Sequence, residues 1–290
     1  MSCKFNLKEL ERILKKRGLS DSIIKGIILT YPKDYRCERE VFKDGLCVFH
    51  AREKPENFEE LFLYELERME KENEVIDMTG FIFPSMEFRR KDGTLLKLTK
   101  PLKFIGAEFH GSADFWGAEF LNMVIFIGAE FQDRVIFEGA KFKGNTMFIE
   151  TRFQDQARFS SAEFQEVSFL NTRFKKEVYF DNVKFQGKAS FEGVRFQGKA
   201  SFMMSSFYGH AIFQDITLTS IADFSYAIFE KQALFIPREQ IKERGKPILV
   251  FFTTTFVKPR YVKIVGYPFS NLSFLHTDLT GVTLIPADHY

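Results

Sequence analysis

The chain has 290 residues, of which 45% are hydrophobic and 28% charged, with a formal net charge of +2. That length allows one large domain or two modest ones, and near-neutrality gives no whole-chain signal for nucleic acid or a membrane surface. No apolar run approaches the roughly 18 residues of a transmembrane helix, the polar start lacks a secretory apolar region, and three cysteines do not make a disulfide framework, so a reducing, cytoplasmic location is expected.

Residues 1–75 do not repeat. Leu7, Leu10, Ile13 and Leu14 share one face at helical spacing, with Asn6 placed to cap the start and Gly18 to end the helix. Ser20 or Ser22 starts a second helix through Ile23, Ile24, Ile27 and Ile28, stopped by Pro32. A polar loop with Cys37 and Cys47 follows. Asn57 then opens a third helix, with Phe58, Leu61, Phe62, Leu66 and Met69 on its apolar side. The 15 basic and 16 acidic residues of this region nearly cancel. A small helical N-terminal domain is expected over 1–75.

Residues 76–103 form a transition. Met78, Phe83 and Phe88 keep a gap of five, and the polar run 89–94, containing Asp92-Gly93, interrupts them as a turn or protruding loop. Leu98 leads back into the pattern. From 104 to 235, phenylalanine recurs at gaps of five and six in near-strict alternation. All 24 phenylalanines of this stretch sit on that lattice, and only Leu218 substitutes for one. Two residues before most centres stands a small or β-branched side chain, as at Ala107, Ala113, Ala118, Val124, Ala129, Val135, Ala140 and Thr146. A period of 11 matches neither a helix nor simple strand alternation. A coil with short flat sides, each turning one ring inward, satisfies it.

The triplets Ala-Glu-Phe at 107–109, 118–120 and 129–131, and Ala-Asp-Phe at 113–115 and 222–224, carry a resemblance to the pentapeptide-repeat family. The resemblance implies a mainly β fold, a right-handed quadrilateral β-helix solenoid here preceded by the small α-helical N-terminal domain. Three departures stand out: Phe instead of the more usual Leu at the centre, an extra residue on every second side, and a gap of five at Phe164–Phe169 where six is expected. The extra residue should bulge at a corner, and the short gap should leave a kink or a shifted register. Four sides give a turn of 22 residues, so the 25 centres make about six coils, stacked roughly 4.8 Å apart.

The solenoid region is expected over 76–290, with regular repeats at 98–236. After Phe235 the lattice is expected to stop. Residues 237–247 look like an insertion or short helix, and 248–265 look β-rich. Phe269, Phe274, Leu279 and Leu284 then return at gaps of five as a last coil, with Leu272, Thr277 and Val282 inward. An open stack of strands invites edge pairing, so the helical domain and the C-terminal segment are expected to be caps.

Chemistry is sparse. No phosphate-binding glycine loop, nucleophile elbow or His-Glu-x-x-His motif is present, so no enzyme activity is expected. Cys37, Cys47 and His50 have metal-ligand types and spacing, and Cys3 is the remaining cysteine that could complete a structural zinc site. Gly-Leu-Cys-Val-Phe-His at 45–50 resembles a segment ahead of the repeat in some pentapeptide-repeat proteins, and also short Cys/His zinc motifs. The alternative is a cysteine pair and a capping histidine in a small hydrophobic domain.

The outward columns differ from face to face. Residues 22 apart should stack. One column reads Glu119, Lys141, Glu163, Lys184, an alternating ladder; another reads Glu108, Glu130, Arg152, Arg173, Arg195 and changes sign. Residues 104–166 carry ten acids and five bases, whereas 167–200 carry three acids and seven bases, so the rod should be electrically dipolar. A third face is apolar: Ile105, Ile127, Ile149 and Leu170 follow its centres, and Ile125 and Met147 precede them. Such a face meets either the chain's own termini or a partner. The leading expectation is a non-enzymatic scaffold that binds a protein partner, or itself as a homodimer, through this face. Two alternatives are a DNA mimic binding a type II topoisomerase, which the family resemblance implies for acidic rods, and a metal sensor or enzyme using the Cys/His loop.

Overall fold

The computed structural model describes residues 2–88, 94–238 and 248–287. Three helices lie near the N-terminus: α1 (Leu7–Lys16), α2 (Asp21–Ile28) and α3 (Phe58–Glu72). Asn6 caps α1 by accepting hydrogen bonds from the backbone N–H groups of Lys8 and Glu9. Ser20 precedes α2, which ends at Ile28, ahead of Pro32. The apolar side of α3 is turned slightly from expectation: Leu63 is buried, whereas Leu61 is exposed at its rim.

After α3 the described residues form a parallel β-solenoid of about 9 turns. Its sides are mostly two-residue strands, because the chain must bend as soon as one ring has been presented inward. Equivalent residues of successive turns pair in register, as Glu108↔Glu130↔Arg152 and Phe109↔Phe131↔Phe153. Four ring columns therefore run up the tube. Phe104, Phe126, Phe148, Phe169, Phe191, Phe213 and Phe235 form one, with successive centroids 4.6–5.1 Å apart. Within a turn the rings meet edge to face, as Phe148 and Phe159 do at 5.6 Å. Parallel stacking up the rod and T-shaped contact across it are the two arrangements that aromatic quadrupoles favour.

The two gap lengths correspond to two kinds of corner. Apart from Phe164–Phe169, each five-residue gap of the lattice turns through a left-handed residue two places after the centre, at Gly106, Gly117, Gly128, Gly139, Glu150 and onward. The six-residue gap accommodates its extra residue at the other corners. Where that residue is missing, between Phe164 and Phe169, the register shifts: Phe142 pairs with Phe164, but Asn145 pairs with Glu166. The shift stays at the corner and does not interrupt the core, since Phe148 still stacks on Phe169 at 4.9 Å.

Coils flank the regular phenylalanine lattice on both sides. Phe83 stacks on Phe109 and Phe88 on Phe115, so the strands within 76–88 already belong to the coil. The interrupting run lies, apart from Thr94, outside the described residues. Beyond 239–247 the stack continues. Phe251 stacks on Phe224, Phe256 on Phe229, and Ile264 pairs with Phe235. The β-rich segment 248–265 opens with two strands, Leu249–Val250 and Thr255–Phe256, separated by a corner at Thr253 with φ of 51°. Most of the insertion expected at 237–247 lies outside the described residues. In the last coil Phe274 stacks on Phe251 and Leu284 pairs with Ile264. Phe269 does not turn inward as expected: it is 54% exposed in the short 3-10 turn Phe269–Asn271, and Tyr267 is buried close by. Pro268, with φ of −59°, begins that turn and breaks the side.

The helical module docks on one corner of the rod. Gly106 and Gly128, both left-handed, lack the Cβ that would press on Leu10, Ile13, Leu14 and Leu19, so α1 and the loop after it lie close against the wall. Arg17, 6% exposed, is clasped there by Glu108, at 2.9 Å, and by Glu130. Arg17→Met keeps the stem but leaves two carboxylates without their cation. We expect it to cost about 1.5–3 kcal/mol by urea denaturation and to expose the linker at Gly18 to protease. Burial would raise the Glu108 carboxyl, but the hydrogen bond from His110 and the charge of Arg17 hold it below its ordinary 4.5. A depressed carboxyl stabilises fully above that value, so the clasp weakens as the pH falls below it.

Candidate metal centre

Cys3, Cys37, Cys47 and His50 come together from three separate segments. Each is buried, and their ligand atoms all lie within 4.8 Å of one another. Backbone contacts set the positions. Cys3 N–H donates to the Arg39 carbonyl at 3.0 Å, and Cys37 N–H donates to the Phe5 carbonyl at 2.9 Å. Cys47 opens a tight turn in which His50 N–H and Ala51 N–H both donate to its carbonyl, at 3.1 and 2.9 Å. That turn brings Cys47 Sγ within 3.1 Å of His50 Nδ1.

The dimensions suit a tetrahedral ion. Metal–sulfur bonds of about 2.3 Å imply sulfur–sulfur edges of roughly 3.8 Å, and Cys37 Sγ and Cys47 Sγ are 3.8 Å apart. Cys3 Sγ lies 3.6 Å from His50 Nδ1. All three cysteines are free; disulfide sulfurs would be about 2.05 Å apart.

Surrounding groups orient the ligands. His50 Nε2 is 3.1 Å from the Thr79 carbonyl, an acceptor only, so this nitrogen carries the proton and Nδ1 faces the sulfurs with its lone pair. Cys47 N–H donates to Cys3 Sγ at 3.2 Å. Arg39 reaches Cys37 Sγ at 3.8 Å and is held by Glu65 at 2.7 Å. Lys54 donates to the Val48 and Ala51 carbonyls, both at 2.6 Å, and its burial pushes its ammonium down to about 7.

The thiols themselves are in electrostatic conflict. Hydrogen bonds from Cys37 and Cys47 hold Cys3 down to about 2, and contacts with Cys3 and Cys37 push Cys47 far above the ordinary thiol range. Three sulfurs this close cannot all ionise alone; a divalent cation among them would remove the conflict.

The centre also joins the module to the rod. Thr79 and Gly80 belong to the first coil. The Phe5 ring stacks on His50 at 3.9 Å and occupies the space a side chain at Gly80 would need. Phe49 stacks on Phe81 at 4.9 Å. Residue type and spacing point to Cys37, Cys47 and His50, and Cys3 enters as the remaining cysteine. They do not point to Arg39, Lys54 or Thr79. The available signal for the docking corner is the hexapeptide Phe-Ile-Gly-Ala-Glu-Phe, repeated at 104–109 and 126–131.

On the wall, the outward columns stack as their spacing suggests. Glu119 pairs with Lys141 at 2.8 Å and with Lys97 at 3.6 Å, and Glu163 takes Lys143 at 3.1 Å. These are surface pairs of small individual worth. Of the apolar face, Ile105 is buried beside the docked α1, while Ile125, Ile127, Met147, Ile149 and Leu170 are half-buried.

The fold defines a repeat scaffold, a parallel β-solenoid with a helical N-terminal module. The family model described as "Pentapeptide repeats (9 copies)" matches residues 104–152, 141–184 and 180–228. Residues 104–228 are a pentapeptide-repeat region. No curated protein matches it.

Proposed function

We propose that this chain is a non-enzymatic scaffold. Its solenoid offers the outward apolar face to a protein partner or a second copy, and the Cys3/Cys37/Cys47/His50 centre is a structural zinc site that holds the helical module on the first coil. The observation that most supports docking is the cluster of half-buried Ile125, Ile127, Met147, Ile149 and Leu170 on neighbouring rungs of one wall. Ser168, Ser190, Glu192 and Gln214 separate it from a second apolar group further along the same side, Ile212, Leu234 and Ile236, with Ile212 paired to Leu234. A run of half-buried apolar groups along one wall is what an interface needs.

Ile105 and Ile127 flank the corner that receives α1, so they are poor probes of a partner. Ile149→Asp combined with Leu170→Asp should weaken self-association or partner capture at least tenfold while leaving the melting temperature within a few degrees. An unchanged elution volume and an unchanged partner profile would refute the docking reading.

Zinc is favoured because three thiolates and one imidazole form a soft, four-coordinate set. With all four positions taken from the protein and buried, no open position is left for substrate, which favours a structural over a catalytic or sensing role. The DNA-mimic reading needs a continuous acidic wall. Arg152, Arg173 and Arg195 stand in register on the column that begins with Glu108 and Glu130, which counts against it.

A further inference from the structure

The column that starts at Glu108 and Glu130 continues through Arg152, Arg173 and Arg195, each paired in register with the next. Arg195 pairs with Thr217. Pro237 pairs with Ile216, and Arg238 N–H donates to the Ile216 carbonyl at 2.8 Å, so Arg238 occupies the next rung after Thr217. The acidic start of the column is satisfied within the chain by Arg17. The basic end is not. Among the described residues no carboxylate lies within ion-pair distance of Arg173, Arg195 or Arg238.

Like charges stacked at the roughly 4.8 Å spacing of paired strands repel. The neighbouring Glu119–Lys141 ladder shows how this wall avoids that cost, by alternating sign. The arginine column does not alternate. It borders a cleft of about 190 Å³ lined by Arg152, Arg173, Arg195, Arg238, Asn171 and Gly193. Gly193 keeps the floor open, since a Cβ there would come within 2.2 Å of Asn171 Oδ1. Glu150 also lines the cleft, one carboxylate facing four guanidinium groups. Arg17 lines its edge, already neutralised by Glu108 and Glu130.

We propose that the column Arg152–Arg173–Arg195–Arg238 is a binding site for a ligand carrying two or more phosphoryl groups. Guanidinium groups donate in parallel pairs to oxyanions, which ammonium groups do not. A phosphoryl group has several oxygen edges, so it can accept from guanidiniums on two successive rungs. A carboxylate carries one charge on two oxygens, whereas a terminal phosphoryl group carries up to two on three. Four arginines over four steps of the coil, roughly 19 Å, match an extended ligand with repeated charges.

The test is calorimetric titration of the full-length, metal-loaded protein with inorganic tripolyphosphate. Arg173→Gln with Arg195→Gln should weaken binding at least tenfold, and the matching double change to Lys should lose most of the affinity while keeping the charge. Arg134→Gln, an exposed arginine on another corner, should bind like the parent. Melting curves of the variants should match the parent, separating loss of the site from loss of the fold. The proposal is overturned if the Gln pair binds as tightly as the parent, if the Lys pair does, if Arg134→Gln weakens binding equally, or if citrate, a tricarboxylate, binds as tightly as tripolyphosphate.

Discussion

Stripping the metal with a strong chelator, or replacing Cys47 with Ser, is expected to melt the helical module while the phenylalanine stack stays folded. Structural zinc contributes on the order of 10 kcal/mol to small peptide modules that are unfolded without it. The module here has its own apolar packing, through Leu10, Leu14, Phe58, Phe62 and Leu66, so its loss should appear as a separate early transition, not as collapse of the whole chain. Three buried sulfurs without a cation cannot share their charge comfortably. Far-UV circular dichroism with and without chelator measures the helical fraction, and metal analysis of the purified protein should find zinc at unit stoichiometry. A metal-free protein with an unchanged melt would refute the zinc assignment and leave the solenoid reading intact.

Phe159→Ala is the second large effect. Phe159 stacks between Phe137, at 5.1 Å, and Phe180, at 4.9 Å, and meets the edges of Phe148 and Phe169 at 5.6 and 5.7 Å. It is fully buried. Its backbone is fixed by parallel hydrogen bonds to the turns on both sides, so the walls cannot close on the gap. We expect a loss of about 3–5 kcal/mol, the upper part of the range for large-to-small core changes. Because each repeat contacts its neighbours alone, unfolding should also become less cooperative. The check is the slope and midpoint of a urea transition. A loss below 1 kcal/mol would mean that the tube can collapse locally. Phe256→Ala, nearer the end and 8% exposed, should cost less.

The phenylalanine lattice made the tube legible because the constraint it reports is local: one ring inward per side, five or six residues per side. The same spacing named the vertical neighbours, so the Glu119–Lys141 pair and the sign reversal between Glu130 and Arg152 could be read before any coordinates. Legibility failed where the repeat was interrupted. Phe251 and Phe256 lie on the lattice, but the intervening residues hide the phase. Phe269 kept the arithmetic of the lattice and still turned outward, because Pro268 starts a 3-10 turn that spacing alone does not reveal.

The candidate ligands followed a similar division. Residue type and the Cys-x-x-His spacing singled out Cys37, Cys47 and His50, and elimination added Cys3. That Cys3 reaches the site at all depends on a loop closure spanning more than 30 residues, which no local pattern encodes. By itself the sequence determined the solenoid, its stacking columns and the identity of the four candidate ligands, since each depends on short-range periodicity or on residue chemistry. The tertiary structure alone decided that α1 lies on the Gly106–Gly128 corner, that Arg17 satisfies the acidic half of its column, and that the arginine half is left facing a cleft. These are encounters between segments far apart in the chain, selected by shape and charge once the rod exists to receive them.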